Sequence, residues 1–172
     1  MRLFIIAAIT LDGFIARDEY HSSMSWTSKA DKKRFVEITK KAGVVIVGST
    51  TYKTFQRPLK DRLNIVYSRS EKFTSISDQV EITTVDPKKL IDDLESRGFK
   101  EAAVCGGSQI YTTFMKAGIV DTIYITIEPT IFGTGIHLFT EKIPHNLKLI
   151  SSEITPEGTI LLEYKVHYEK RT

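Results

Sequence analysis

Ala102-Ala103-Val104-Cys105-Gly106-Gly107-Ser108-Gln109-Ile110-Tyr111 is the stretch that decides the fold. Residues 102–105 are small and apolar and read as a strand buried on both faces. From Ile110 the apolar residues Tyr111, Phe114 and Met115 fall at helical spacing. Only a glycine pair and a serine separate the two. A strand that runs through such a turn into a helix is one half of an α/β repeat. The turn leaves free backbone N–H groups at a helix N-terminus, where the helix dipole suits a phosphate. Alone the motif is weak. It is neither a full G-x-G-x-x-G nor a Walker loop, and a tight turn explains it equally well.

Upstream, the same alternation repeats. Leu3 and the residues up to Ile9 form a near-continuous apolar run, a first strand covered on both faces. Leu11-Asp12-Gly13 turns the chain, and residues 14–25 are polar and irregular. That length in a compact domain makes them a candidate functional loop, a lid over a site. Residues 44–47 are a second strand. Gly48-Ser49-Thr50-Thr51 turns into a short helix through Phe55, which Arg57-Pro58-Leu59 ends. Residues 64–67 and 81–84 are further strands, and Asp86-Pro87 opens a helix to about Ser96, with proline at its first position. Downstream, residues 122–127 alternate as a strand, and residues 147–168 read as an antiparallel hairpin turning at Pro156-Glu157-Gly158. The expectation is an α/β fold over residues 1–172 as one domain. It has a mostly parallel central sheet, an antiparallel C-terminal hairpin and flanking helices.

Composition narrows the function classes. The balance of 24 basic and 21 acidic side chains leaves a net charge of +3, which gives no case for nucleic acid as main partner. The single Cys105 rules out an internal disulfide and suits a reducing, cytoplasmic setting. No apolar run is long enough to span a membrane, and the N-terminal run is cut off too soon by Asp12-Gly13 for a signal peptide. His21, His137, His145 and His167 show no paired metal-ligand spacing. There is no G-x-S-x-G elbow, and Cys105, inside an apolar strand, reads as packing.

What remains is at the strand ends. In open α/β sheets, ligands bind at the loops after the carboxyl ends of strands. Here those loops are Gly48-Ser49-Thr50-Thr51, Ser68-Arg69-Ser70 and Gly106-Gly107-Ser108. The first and third are helix starts with open amides, and Arg69 is a good partner for a terminal phosphate. Three such loops on one sheet point to a ligand with several phosphates, such as a dinucleotide.

A second feature is the helix that opens after Trp26. Thr27 or Ser28 can cap it, and Asp31, Phe35, Ile38 and Ala42 share one face while Lys33, Glu37, Lys40 and Lys41 share the other. The apolar face therefore begins with a carboxylate, which costs free energy unless something polar meets it. Ser28 and Asp31 also have capping-box spacing, so a plain cap is one reading of Asp31. A ligand-facing acid is the other.

Taken together these segments resemble dihydrofolate reductase over nearly the full length. Ile6-Ala7-Ala8 followed by Leu11-Asp12-Gly13-Phe14-Ile15 is similar to that family's opening strand and active-site loop. Trp26, Asp31 and Phe35 match its pattern of Trp, acid and Phe. Val47-Gly48 with Thr51-Tyr52, Arg57-Pro58-Leu59 with Arg62-Leu63-Asn64, Cys105-Gly106-Gly107 with Ile110-Tyr111, Thr126, and Gly133-Thr134 before Phe139 follow in the family's order. The resemblance implies reduction of 7,8-dihydrofolate with NADPH by a monomer or homodimer. It implies Asp31 as the catalytic acid, supported by Thr126. It places Ile6, Ala7, Phe35 and Tyr111 around the pterin and nicotinamide, and Arg62 on the substrate's glutamate carboxylate. It assigns Ala8, Ile15, Gly48, Ser49, Thr50, Thr51, Gly106, Gly107, Ser108, Gln109 and Ile110 to the cofactor, with Ser68 and Arg69 on its 2′-phosphate.

The chain departs from that pattern at Lys29, Lys32, Ser49, Lys60-Asp61 and Ser108. Lys32 stands where the family has an apolar residue over the aminobenzoyl ring, and Ser49 lacks the basic side chain many members use for the 2′-phosphate. These departures fit a sister family, the riboflavin-biosynthesis reductases, which share the fold and cofactor and reduce a ribosylamino-pyrimidine phosphate. Asp31 and Arg62 favour the folate reading, and Lys32 and Lys60 leave the other open. A non-catalytic nucleotide-binding module, with Asp31 only a cap, is the third.

Overall fold

The computed structural model describes residues 1–55, 57–69 and 77–168. An eight-stranded sheet organises the chain, in the order β5-β4-β3-β6-β1-β7-β10-β9. The strands are β1 Arg2–Thr10, β3 Val44–Gly48, β4 Leu63–Tyr67, β5 Val80–Thr83, β6 Glu101–Gly106, β7 Thr122–Glu128, β9 Asn146–Ile154 and β10 Ile160–His167. The six from β5 to β7 run parallel, and β10 and β9 pair antiparallel at one edge. The α/β class and the C-terminal hairpin expected from the sequence are both present.

The two-faced character of β1 is visible in its contacts. Leu3, Ile5 and Ala7 enter one core cluster with Val44, Ile46, Leu94 and Phe114, while Phe4 and Ile6 enter another with Val45, Val47 and Tyr52. Helices α3 (Pro87–Ser96) and α4 (Ser108–Lys116) cover the first face. The second face lies under α1 (Lys29–Ala42), through Phe35 and Ile38, and under α2 (Ser49–Thr54). A sheet buried on both sides needs strands apolar at every position, which is why the alternating pattern is absent from its centre.

Helix α1 begins and ends as its sequence requires. The Ser28 hydroxyl accepts the Asp31 amide at 3.1 Å, and Gly43 closes the helix in the left-handed conformation, its amide bonded to Thr39 O. The stretch from residue 14 corrects the sequence reading. It is not irregular throughout, because Phe14–Ala16 forms β2, which pairs with β8 (Ile136–His137). Phe14 and Ala16 are buried at alternate positions and Phe14 meets the His137 ring at a tilt, centroids 4.6 Å apart, so a strand of three residues is enough. Among the described residues no helix is long and apolar enough to cross a membrane.

Candidate active site

A cleft of about 730 Å³ opens at the carboxyl ends of β1 and β6, on the α1 side of the sheet. Ile6, Ala7 and Ala8 form one wall from β1, and Cys105, Gly106 and Gly107 another from β6. Asp31, Lys32, Phe35 and Val36 line it from α1, residues 22–25 close one end, and Arg57, Pro58, Leu59, Lys60 and Arg62 the other. Ile15, Thr27, Thr54, Phe55 and Tyr111 also line it.

Among the described residues Asp31 is the one carboxylate on that wall, and only 9% of it is exposed. Burial pushes its carboxyl above the usual carboxylate range, and the like charge of Glu128 adds to the push. The nearby hydroxyls of Thr126 and Thr27 and the Arg34 guanidinium pull the other way without cancelling it. Asp31 does not complete a capping box. The Ser28 amide, which a box residue would accept, donates instead to Glu128 Oε1 at 2.7 Å. With that task taken by β7, the Asp31 side chain is free to face the cleft. Arg34 fixes the helix from the next turn: Nη1 donates to Ile125 O at 3.1 Å and Nη2 to Leu162 O at 2.7 Å.

The phosphate-suited loops lie side by side, because β4, β3 and β6 are neighbours and Gly48 is in register with Tyr67. Gly48 and Gly107 stand at the N-caps of α2 and α4, and neither helix has a side-chain cap. The leading amides of each helix have no carbonyl to meet inside it, although in α4 the Ile110 amide already turns back to Gly107 O at 2.9 Å. The two turns touch: a Cβ at Gly107 would lie 3.1 Å from Thr51 Oγ1, and one at Gly48 3.1 Å from Ile110 Cγ1. Gly106 has φ +118°, and a Cβ there would meet the Tyr111 hydroxyl at 3.2 Å. That hydroxyl donates to Ile6 O at 2.9 Å and so ties α4 to the strand that floors the cleft.

At the far end the cleft is cationic. Lys32, Arg57, Lys60 and Arg62 all line it. Arg62 is 7% exposed; its Nε donates to Lys60 O at 2.9 Å and its Nη1 to Thr39 Oγ1 at 2.6 Å. The carboxylate beside it in sequence, Asp61, is held by Lys40 at 2.7 Å instead.

Of the residues singled out from sequence, Ile6, Ala7, Ala8, Ile15, Asp31, Phe35, Arg62, Gly106, Gly107 and Tyr111 come together on the cleft wall. Thr126 lies behind the wall near Asp31, buried at 1% exposure. Gly48, Ser49, Thr50, Thr51, Ser108, Gln109 and Ile110 belong to the two helix starts beside the cleft, and Ser68 and Arg69 follow the end of β4. The Ser108 hydroxyl is already engaged, donating to His137 O, so it has no proton left to give to a phosphate. Ser70 lies outside the described residues.

Sequence reasoning passed over Glu128, Arg34 and Phe132. Glu128 is a charged residue closing an alternating strand, a visible oddity, but its partner is far away in the chain. Phe132 meets Trp26 edge-on at 5.1 Å and carries Arg17 over its ring at 4.2 Å. It thereby fixes the loop before α1. Asp12 holds the other side of that contact by accepting the Gly133 amide at 2.7 Å.

Comparison with known proteins bears on the fold and the family. Dihydrofolate reductase type 3 of Salmonella typhimurium is 29% identical over 126 residues, covering 73% of this chain and 71% of its own. The structure of a pyrimidine reductase-like protein from Corynebacterium diphtheriae superposes with a TM-score of 0.79 at 19% identity, over 98% of this chain and 92% of that one. Dihydrofolate reductase from Enterococcus faecalis, solved with NADP(H), superposes with a TM-score of 0.74 at 18% identity, over 97% of both chains. At such identities the two structures establish the dihydrofolate-reductase-like fold. The sequence profile of the RibD C-terminal domain matches residues 2–161, nearly the whole described chain, and the protein belongs to that family.

Proposed function

We propose that the protein reduces 7,8-dihydrofolate to 5,6,7,8-tetrahydrofolate with NADPH. The observation that carries this reading is Asp31, a buried carboxyl on the cleft wall between Ile6-Ala7 and Phe35, with Thr126 beside it. A flat heterocycle with adjacent N–H groups is what such a carboxyl can bind with two hydrogen bonds, and the apolar walls suit its faces. Asp31 would hold the pterin through N3 and the 2-amino group and favour the ring form that accepts a proton at N5. Arg62 would take the α-carboxylate of the glutamate tail.

The residues beside the cleft fit NADPH. The uncapped starts of α2 and α4 and the glycine turn between them offer main-chain amides to a pyrophosphate. Thr51 stands at the same turn, and Ser68 and Arg69 would meet the 2′-phosphate. NADPH supplies, when bound, the hydride that goes to pterin C6. Residues 22–25 and Ile15 sit where they would keep water from the reacting atoms.

A second reading has its own observation. Lys32, Arg57, Lys60 and Arg62 together would suit a phosphate monoester, as on a ribosylamino-pyrimidine phosphate. Purified protein mixed with NADPH and either substrate, followed by loss of reduced-cofactor absorbance, decides between them. Turnover of dihydrofolate supports the proposal. Turnover of the pyrimidine alone transfers the site to the second reading, and turnover of neither leaves a nucleotide-binding module.

A further inference from the structure

The main chain at the start of α1 is held without help from the Thr27 side chain. The Ser28 hydroxyl caps the helix by accepting the Asp31 amide at 3.1 Å. Glu128 accepts the Ser28 amide at 2.7 Å, and the Thr27 amide donates to Ser23 O at 3.0 Å. Yet Thr27 is 7% exposed and lines the cleft. A hydroxyl on a buried residue needs a partner. Among the described residues the one partner of this hydroxyl is the Asp31 carboxyl, one helical turn further on.

Thr126, on β7, brings a second hydroxyl to the same carboxyl. The two threonines belong to different elements, one to the chain entering α1 and the other to the sheet that α1 covers. An aspartate carboxyl turns easily about its last bond, where the rotamer wells are broad. One donor leaves that rotation partly open, and two donors from separate elements close it. A carboxylate has about four lone-pair sites, so those not taken by the threonines stay available to paired N–H groups of a ligand in the cleft. The charges around Asp31 give no such constraint. Glu128 on β7 repels the carboxylate and Arg34 on α1 attracts it, while Lys32 on α1 and Tyr111 on α4 share the cleft wall with it. Charges act over distance and set no plane, whereas a hydrogen bond is directional.

We propose that Thr27 is a positioning residue for Asp31: its hydroxyl, acting with that of Thr126, fixes the plane in which the carboxyl meets a bound heterocycle. The inference rests on the reading of Asp31 as the group that holds the substrate ring. Thr27→Val and Thr27→Ser separate the two parts of the side chain. Valine removes the hydroxyl and keeps the branched shape, and serine keeps the hydroxyl and removes the methyl. If the hydroxyl matters, the valine change is the damaging one; if packing matters, the serine change is.

The first readout needs no substrate. Carbon-13 NMR of the full chain, labelled at the aspartate carboxyls, follows the titration of Asp31, whose signal Asp31→Asn identifies. Loss of a donor to the charged form should move the Asp31 midpoint up by about half to one pH unit in Thr27→Val, with Thr27→Ser at the parent value. The second readout is turnover. At neutral pH kcat/KM for dihydrofolate should fall by about ten-fold in Thr27→Val and recover in Thr27→Ser, with NADPH affinity unchanged in both. Thermal unfolding shows that each variant is folded, and Thr27→Ala takes the place of Thr27→Val if the latter does not fold. An Asp31 midpoint that ignores the loss of the hydroxyl overturns the proposal. So does a Thr27→Ser variant that loses as much as Thr27→Val. A parent that does not turn over dihydrofolate counts against the proposed function alone, because the titration still decides what Thr27 does.

Discussion

Glu128 holds the main chain of Ser28: its Oε1 accepts the Ser28 amide at 2.7 Å, across 100 residues of sequence. Its Oε2 accepts the Thr159 hydroxyl at 2.8 Å, and the side chain is 3% exposed. The last residue of β7 therefore fixes the N-cap of the helix that carries Asp31, and ties both to the turn before β10.

Replacing Glu128 should separate shape from bonding. Glu128→Leu leaves a half-buried amide and a buried hydroxyl without their acceptor, which costs up to about 1–3 kcal/mol for the buried group and less for the other. Glu128→Gln keeps an oxygen for Ser28, and its amide group can donate to the Thr159 hydroxyl, so its loss should be well below that of the leucine variant. Urea denaturation of the two variants measures the difference. Equal losses would mean that Glu128 acts by filling volume.

Much of this fold was legible in the sequence because the relevant signals are local. The two-faced strand at Leu3–Ile9, the Ser28 cap, the Gly43 stop and the Gly106-Gly107 turn each depend on neighbours within a few residues. The misreading at Phe14–Ala16 has a physical reason: three residues carry too little periodicity to declare a strand, and its two-residue partner β8 lies 120 residues on. Glu128 was illegible for the same reason on a larger scale. Nothing near it in sequence shows that it would meet a helix N-terminus. The candidate site was legible as a set of strand ends, but the free orientation of Asp31 was not, because it depends on Glu128 taking the bond to Ser28.

Cofactor preference should follow from Arg69, exposed just past the end of β4. A charge-assisted hydrogen bond to a 2′-phosphate is typically worth about 1.5–3 kcal/mol, or roughly one to two decades of affinity. NADPH should bind more tightly than NADH by that factor, and Arg69→Ala should remove most of the gap. Fluorescence titration with both cofactors reads it directly. Equal affinity in the unmutated protein counts against any role for Arg69.

Arg62 has half of its guanidinium tied to Lys60 O and the Thr39 hydroxyl, while the side chain still lines the cleft. Arg62→Lys keeps a charge and loses the planar fork. The KM for dihydrofolate should rise by roughly one to two decades, the worth of a charged hydrogen bond. The KM for a dihydropterin lacking the glutamate tail should hardly change. A parallel rise for both substrates would make Arg62 an anchor of the turn before β4 and nothing else.

Asp31 offers the sharpest separation, because stability and turnover should move in opposite directions. Its carboxyl is raised by burial, so the folded protein binds that proton more tightly than the unfolded chain does. Charged Asp31 therefore opposes folding. The penalty is absent below the unfolded value, near pH ~3.9, and grows as pH rises through the raised folded value. Asp31→Asn removes the charge and leaves the Ser28 cap in place, since the Asp31 amide makes that bond through its main chain. The variant should be at least as stable as the parent at neutral pH, with the gap closing in acid. Turnover of dihydrofolate should fall by about two to four decades at neutral pH, the usual worth of a positioned acid. It should recover in part as pH falls, because solvent then protonates the substrate. Thermal unfolding and steady-state rates, both measured from pH 4 to pH 8, read the two effects side by side. A variant that loses stability but keeps its turnover would make Asp31 a packing residue of α1, and the cleft would have to find its proton elsewhere.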